Sequence, residues 1–450
     1  MKASASQFAV SFRVIALLAL TYPAAGGAPQ PPMVEQPASL GPGQCEICHA
    51  QLADVRLSTP TASLAFDVHA KRGLGCVACH GGDASSRNED RAHAKETGFV
   101  GLPDAPAILQ LCARCHSDPK FMRAYNPTLA TDQLDKYKTS RHGQLLEMGL
   151  SKVAQCVSCH TAHLIRTPKD PLSTVYPVNI PRTCARCHSD PEYMKGLPVP
   201  TDQYAKYSAS VHGIALLGNQ DLAAPACNGC HGNHGAFPPG AQSLAQVCGT
   251  CHAFNLELFE KSPHAEAFRL EELPQCEVCH GYHDITTPTV ATFNMGPDSV
   301  CESCHPADDA GWKAGKAVYA QISELHQLRD QADALLERGQ TLGMDVSDGR
   351  FVMRDFHSTL LQLRTLTHSL DPKAFAEKVK LAQSQATKAA QLAQAAVDEF
   401  HYRRKGLFVS LALATPVLLL LFIRIRAPGP KRQATQQLAQ KEEEDPHPKA

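Results

Sequence analysis

The chain has 450 residues, enough for two or three domains, and a formal net charge of −1. That balance gives no electrostatic reason for nucleic-acid binding or for a strongly charged substrate, so no nucleic-acid partner is expected. Aromatic residues make up 6% of the chain with a single Trp, so something other than side chains is expected to fill part of the interior.

Residues 1–28 read as an export signal. Lys2 and Arg13 supply positive charge, Val14 to Leu20 form a short apolar stretch, and Ala24 to Ala28 form a small-residue cleavage zone. The apolar stretch is too short to span a bilayer. Residues 29–44, rich in Pro and Gly, read as a linker.

All 18 cysteines then fall into nine Cys-x-x-Cys-His blocks. These are Cys45, Cys48 and His49; Cys76, Cys79 and His80; Cys112, Cys115 and His116; Cys156, Cys159 and His160; Cys184, Cys187 and His188. They continue as Cys227, Cys230 and His231; Cys248, Cys251 and His252; Cys276, Cys279 and His280; Cys301, Cys304 and His305. Cysteines three apart share one face of a helical turn, so both thiols can form thioethers with the two vinyl groups of one porphyrin. The adjacent His then lies under the ring and binds its iron. A zinc ribbon would not follow every Cys pair with His, and a disulfide framework would not hold one spacing nine times. The blocks therefore predict nine covalent c-type haems, in a region taken as 45–310. Attachment to this motif takes place on the exported side of a membrane, in keeping with the signal.

The region repeats itself. Cys-Ala-Arg-Cys-His-Ser-Asp-Pro occurs at 112–119 and 184–191, each followed by Thr-Asp-Gln and then Tyr-x-x-Ser-x-His-Gly, ending at Gly143 and Gly213. A second motif with the ending Cys-His-x-x-His closes each copy, at His163 and His234. A shorter copy runs from Cys248 through His264 to His283, and a divergent first copy runs from Cys45 through His69 to His80 without a closing His. The unit is a two-haem module used four times, with one further motif at Cys301.

Thirteen of the 22 His lie outside the motifs. The candidate distal ligands within the haem region are His69, His93, His142, His163, His212, His234, His264 and His283. A ninth is expected from the following segment, where His357 is favoured, with His326 and His368 as alternatives. Such a supply predicts closed, two-histidine irons that only transfer electrons. An open iron, if present, is expected at His80, whose module lacks the closing His.

Residues 311–404 lack Cys and carry helical apolar stripes. Val318, Ile322, Leu325, Ala332 and Leu336 mark one helix, ended by Gly339 and Gly343; Phe356, Leu360, Leu363 and Leu370 mark a second. Asp371-Pro372 begins a third, with nothing to break it before Pro416. The spacing predicts a helical stalk. Residues 405–424 contain an uncharged apolar run flanked by Arg403, Arg404 and Lys405 and by Arg424 and Arg426, and read as a transmembrane helix. The tail, 425–450, is expected to be cytoplasmic and disordered.

The Ser-x-His-Gly and Cys-x-x-Cys-His-x-x-His patterns resemble the class III and doubled-motif multihaem cytochromes of bacterial respiratory chains, over residues 45–305. The resemblance implies closely packed haems, two-histidine ligation, low potentials and electron relay. The pairing of a haem region with later helices is also similar to multihaem nitrite reductases and hydroxylamine oxidoreductases, although the Cys-x-x-Cys-Lys motif of the former is missing. The layout resembles membrane-anchored cytochromes that take electrons from quinol, except that their anchor is N-terminal.

The expectation is thus a mainly α, haem-packed protein with much irregular structure, a helical stalk and one C-terminal transmembrane helix. It would sit on the cytoplasmic (inner) membrane with its haem domain in the periplasm. Its expected role is to relay electrons between membrane quinol-oxidising subunits and periplasmic or outer-membrane cytochromes. The rival is an oxidoreductase acting on a small nitrogen or sulfur compound at one open haem.

Overall fold

A computed structural model describes residues 43–240, 244–296, 299–427 and 430–443. The expected export signal and nearly all of the linker lie outside the described residues. The described chain is helical, with no strand, and divides into two units. One comprises residues up to 138 together with 142–173; the other comprises 139–141 and everything from 174.

The first unit carries the first four motifs on short helices separated by long irregular segments. Its side-chain core is small: Ala105, Leu109, Leu146 and Val153, with Leu134, Tyr137 and Leu145 against them. The helices Cys76–His80 and Cys156–His160 have five residues each, far below the length at which an isolated helix persists. Something beyond their own hydrogen bonds must hold them.

The second unit carries the remaining five motifs and the stalk. Asp309 caps the first stalk helix, Ala310–Thr341, by accepting a hydrogen bond from Trp312 N. Gly339, expected to help end this helix, lies buried inside it against Val346. The turn comes at Gly343, whose φ of +75° is a conformation glycine adopts without strain. A second helix, Ser347–Leu366, leads through the 3₁₀ turn Thr367–Ser369 to a third, Pro372–Arg426, capped by Asp371. Leu325, Ala332, Phe356, Leu363, Ala382, Ala389 and Ala393 are fully buried where the three pack. On the third helix, Ala382, Ala386, Ala389 and Ala393 recur at intervals of four and three, the spacing of a seam between packed helices.

Burial on this helix ends at Val397, yet the helix continues unbroken through Pro416. Pro416 has no N–H to give to Ala412 O, and beside it the Thr415 hydroxyl donates to Leu411 O at 2.6 Å. The most apolar 18 residues have a mean hydropathy of 2.5 and none is buried. The helix is long and apolar enough to cross a membrane. Beyond it the tail forms a further helix, Pro430–Glu443, where disorder was expected. Its Gln, Ala, Leu, Lys and Glu residues favour helix, and Pro430 suits a first turn.

Candidate haem centres

Six of the motifs take two local forms that follow the repeat. In Ala105–His116 and Ile180–His188 the motif ends a longer helix, and Asp118 then caps the next one by accepting from Lys120 N and Phe121 N. In Cys76–His80, Cys156–His160, Cys227–His231 and Gln275–His280 the motif is itself the helix, and the residue after its His has positive φ. Either form puts two thiols and an imidazole on one face.

The histidines meet in pairs. His49 faces His93 with ring centroids 6.1 Å apart, His69 faces His116 at 6.0 Å, and His80 faces His163 at 5.9 Å. In the second unit His212 faces His252 at 6.3 Å, His231 faces His283 at 6.0 Å, His264 faces His305 at 5.7 Å, and His280 faces His368 at 6.0 Å. Each pair joins one motif histidine to one histidine from outside the motifs. An iron between two imidazoles, about 2 Å from each nitrogen, sets the ring centroids roughly 6 Å apart. His264 Nε2 and His305 Nε2 point at each other across 3.4 Å. The residues fit haem.

Electrostatics agree with ligation. Burial holds His163, His212, His264, His280 and His283 below the usual imidazole range, and the facing histidine depresses each further. Neutral imidazole is the form that binds a metal. Several rings are also fixed through Nδ1, which leaves Nε2 bare. His80 Nδ1 lies 3.1 Å from Val100 O and His368 Nδ1 lies 2.9 Å from Thr365 O. His69 Nδ1 lies 3.0 Å from Asp67 Oδ1, and His305 Nδ1 lies 2.9 Å from Asp309 Oδ2. Carbonyls and carboxylates only accept, so the imidazole donates in each case.

Two expectations change. His357 is exposed, with Phe356 as its ring neighbour; the stalk histidine that meets a motif histidine is His368, in the turn between the second and third helices. His80, expected as the open position, faces His163. The physical reason is an offset: a closing histidine serves the preceding module, so the first module needs none of its own. His163 meets His80 and His283 meets His231, while the last module draws on the stalk. Of the other candidates, His142 lies in the helix Arg141–Glu147, His234 lies in the turn after Cys227–His231, and His160 and His188 end their motif helices.

No described cysteine forms a disulfide, but the thiols of successive motifs lie close. Cys112 is in hydrogen-bond contact with Cys156, Cys184 with Cys227, and Cys248 with Cys276. Each contact joins the first cysteines of the two motifs of one module. Cys79 is within electrostatic reach of Cys115, Cys230 of Cys248 and Cys251, and Cys279 of Cys301 and Cys304. These are second cysteines reaching the next module. Attachment points therefore follow chain order within each unit.

The repeated residues outside the motifs hold this arrangement. Tyr137 Oη donates to Ala154 O at 2.7 Å and Tyr207 Oη to Pro225 O at 2.9 Å, each two residues before a motif cysteine. Burial pushes the Tyr137 hydroxyl up to about 12, so it stays a donor. Ser210 Oγ donates to Tyr207 O and accepts from Gly213 N, which fixes the turn carrying His212. A Cβ on Gly143 or Gly213 would run into the carbonyl of Tyr137 or Tyr207. Sequence reading found these residues as a repeat without seeing their task. It missed Asp67 and Asp309 altogether, although an acid two residues before His69 and another four after His305 were visible.

No curated protein and no solved structure matches the chain. Residues 68–189 match the model of the cytochrome c3 family, a stretch that holds four of the motifs and His69, His93, His142 and His163. That match supports a multihaem c-type cytochrome with covalently bound haem and a role in electron transfer.

Proposed function

We propose that this chain binds nine c-type haems, each between two histidines, and relays electrons on the exported side of a membrane to which its C-terminal helix anchors it. The observation that carries the reading is the set of seven facing histidine pairs, at 5.7–6.3 Å. His142 and His234 hold the same repeat positions as His212 and His283, and are proposed as distal ligands in the same way. Bound haem supplies one-electron transfer, and a two-histidine iron leaves no position for substrate. The protein's part is to hold the irons, keep the imidazoles neutral and bring successive attachment points together.

The proposed partners are a membrane quinol-oxidising complex as donor and periplasmic or outer-membrane cytochromes as acceptors. Helix length argues for a protein donor over quinol itself. From Pro372 to Gly406 the third helix rises roughly 50 Å at about 1.5 Å per residue. His368 and Asp309 both stand at the end of the stalk away from the apolar segment. A quinol confined to lipid could not reach the two haems held there, those attached at Cys276 and Cys301.

The test is carbon monoxide binding to the dithionite-reduced, detergent-solubilised holoprotein, read by visible spectroscopy beside a haem count. Nine haems with no spectral response are expected. A response from one haem in nine would reveal an open iron and return the oxidoreductase reading to the lead.

A further inference from the structure

We infer that Asp67 and Asp309 are positioning residues that lower the reduction potentials of the third and ninth haems, those attached at Cys112 and Cys301. The inference rests on the proposed two-histidine ligation. Asp67 is 3% exposed and accepts from His69 Nδ1 at 3.0 Å, His69 N at 2.8 Å and Ile165 N at 2.7 Å. It therefore fixes the ring that faces His116, and it brings a buried negative charge. Asp309 accepts from His305 Nδ1 at 2.9 Å and from Trp312 N at 2.6 Å, so one carboxylate both orients an iron ligand and caps the stalk.

His80 and His368 give the same Nδ1 proton to neutral backbone carbonyls. A carboxylate draws that proton further and sends electron density to Nε2, which favours the more positive ferric iron. The two sites differ in strength. The Asp67 side chain is 4% exposed and the Asp309 side chain 33%, so water screens the second more. Asp67 also lies in the field of His163, so the haem of the His80–His163 pair is lowered slightly too.

The test makes D67N and D309N separately in the full-length holoprotein. Each is followed by haem count, potentiometric titration and low-temperature electron paramagnetic resonance. Asparagine keeps an acceptor oxygen and caps helices as well as aspartate does. With nine haems retained, one titration component should move to higher potential in each variant, further for D67N and there with a smaller rise of a second component, and the g-values of one low-spin haem should change. Nine haems with every component and every g-value at its wild-type position would overturn the inference. If D67N loses haem because Ile165 N is left without an acceptor, D309N, which keeps its cap, decides between the same two outcomes. A high-spin signal in the wild type would instead sink the ligation reading.

Discussion

The haem region and the stalk solve the problem of folding in different ways. In the stalk, three helices bury an unbroken file of side chains, from Ile322 and Leu325 through Phe356 and Leu363 to Ala393. In the first unit the comparable cluster has four buried residues, while Val55, Leu57 and Phe66 remain exposed. A chain with so little apolar burial cannot offset the entropy of ordering its long irregular segments. The teaching of the contrast is that haem attachment takes the place of a core in one region, while the other is held by packed side chains and offers haem a single histidine at its turn.

The largest effect that can break this contrast is removal of haem. Expressed without haem attachment, the region from 43 to about 309 should lose its structure while the stalk keeps its helices. Far-UV circular dichroism and limited proteolysis read both at once: rapid cleavage throughout the motif region, and a protected fragment covering 310–397. A haem-free protein resistant in both regions would mean that side chains alone suffice.

His368 is where the two regions meet, and H368A sharpens the comparison next. It should leave stalk stability nearly unchanged but free one iron position, so that one haem in nine binds carbon monoxide after reduction. H357A should bind none. A response from H357A and not from H368A would reverse the assignment of the stalk ligand.

The complementary change is F356A. Phe356 is fully buried at the centre of the stalk, and truncating a buried Phe costs about 3–5 kcal/mol through lost burial and a cavity. Thermal unfolding of the stalk should fall accordingly, with haem count and visible spectrum unchanged below the transition. A change in the visible spectrum of more than one haem in step with stalk unfolding would show that the haem region depends on stalk packing.

How far each region was legible follows from the same contrast. The stalk's helices could be read because burial at period 3.6 leaves its mark on sequence, as at Val318, Ile322 and Leu325. Covalent haem attachment could be read because two thioethers and one iron bond demand a fixed spacing. Ligand pairing could not be read, because His163 follows His160 closely in sequence yet faces His80 in the fold. Only the fold shows that closing histidines are passed to the preceding module. The choice of His368 over His357 was hidden for a related reason. Both lie on one face of an ideal helix, but the helix ends at Leu366 and a 3₁₀ turn carries His368 away.

The smallest expected effect concerns one residue where the repeat departs from its own rule. After the second motif of a module the chain turns through positive φ, at Gly81 (φ 65°, ψ −151°), Gly232 (φ 82°, ψ 168°) and Gly281 (φ 71°, ψ −170°). The same position in the second module is Thr161, at φ 68° and ψ 178°. That corner of conformational space is almost confined to glycine, and occupying it costs a β-branched residue on the order of 1–3 kcal/mol. The threonine gains nothing visible in return, since its buried hydroxyl has no hydrogen-bond partner among the described residues. T161G should therefore stabilise the first unit by about 1 kcal/mol, after the ~0.5–1 kcal/mol by which glycine favours the unfolded chain. G232T is the reverse experiment. A Cβ there would meet only Gly235 O at an ordinary 3.5 Å, so its cost measures conformation without crowding. Denaturant unfolding followed at the haem absorbance reads both variants. If neither changes the midpoint, thioether bonds set the stability of the turn, and backbone strain is irrelevant wherever haem is attached.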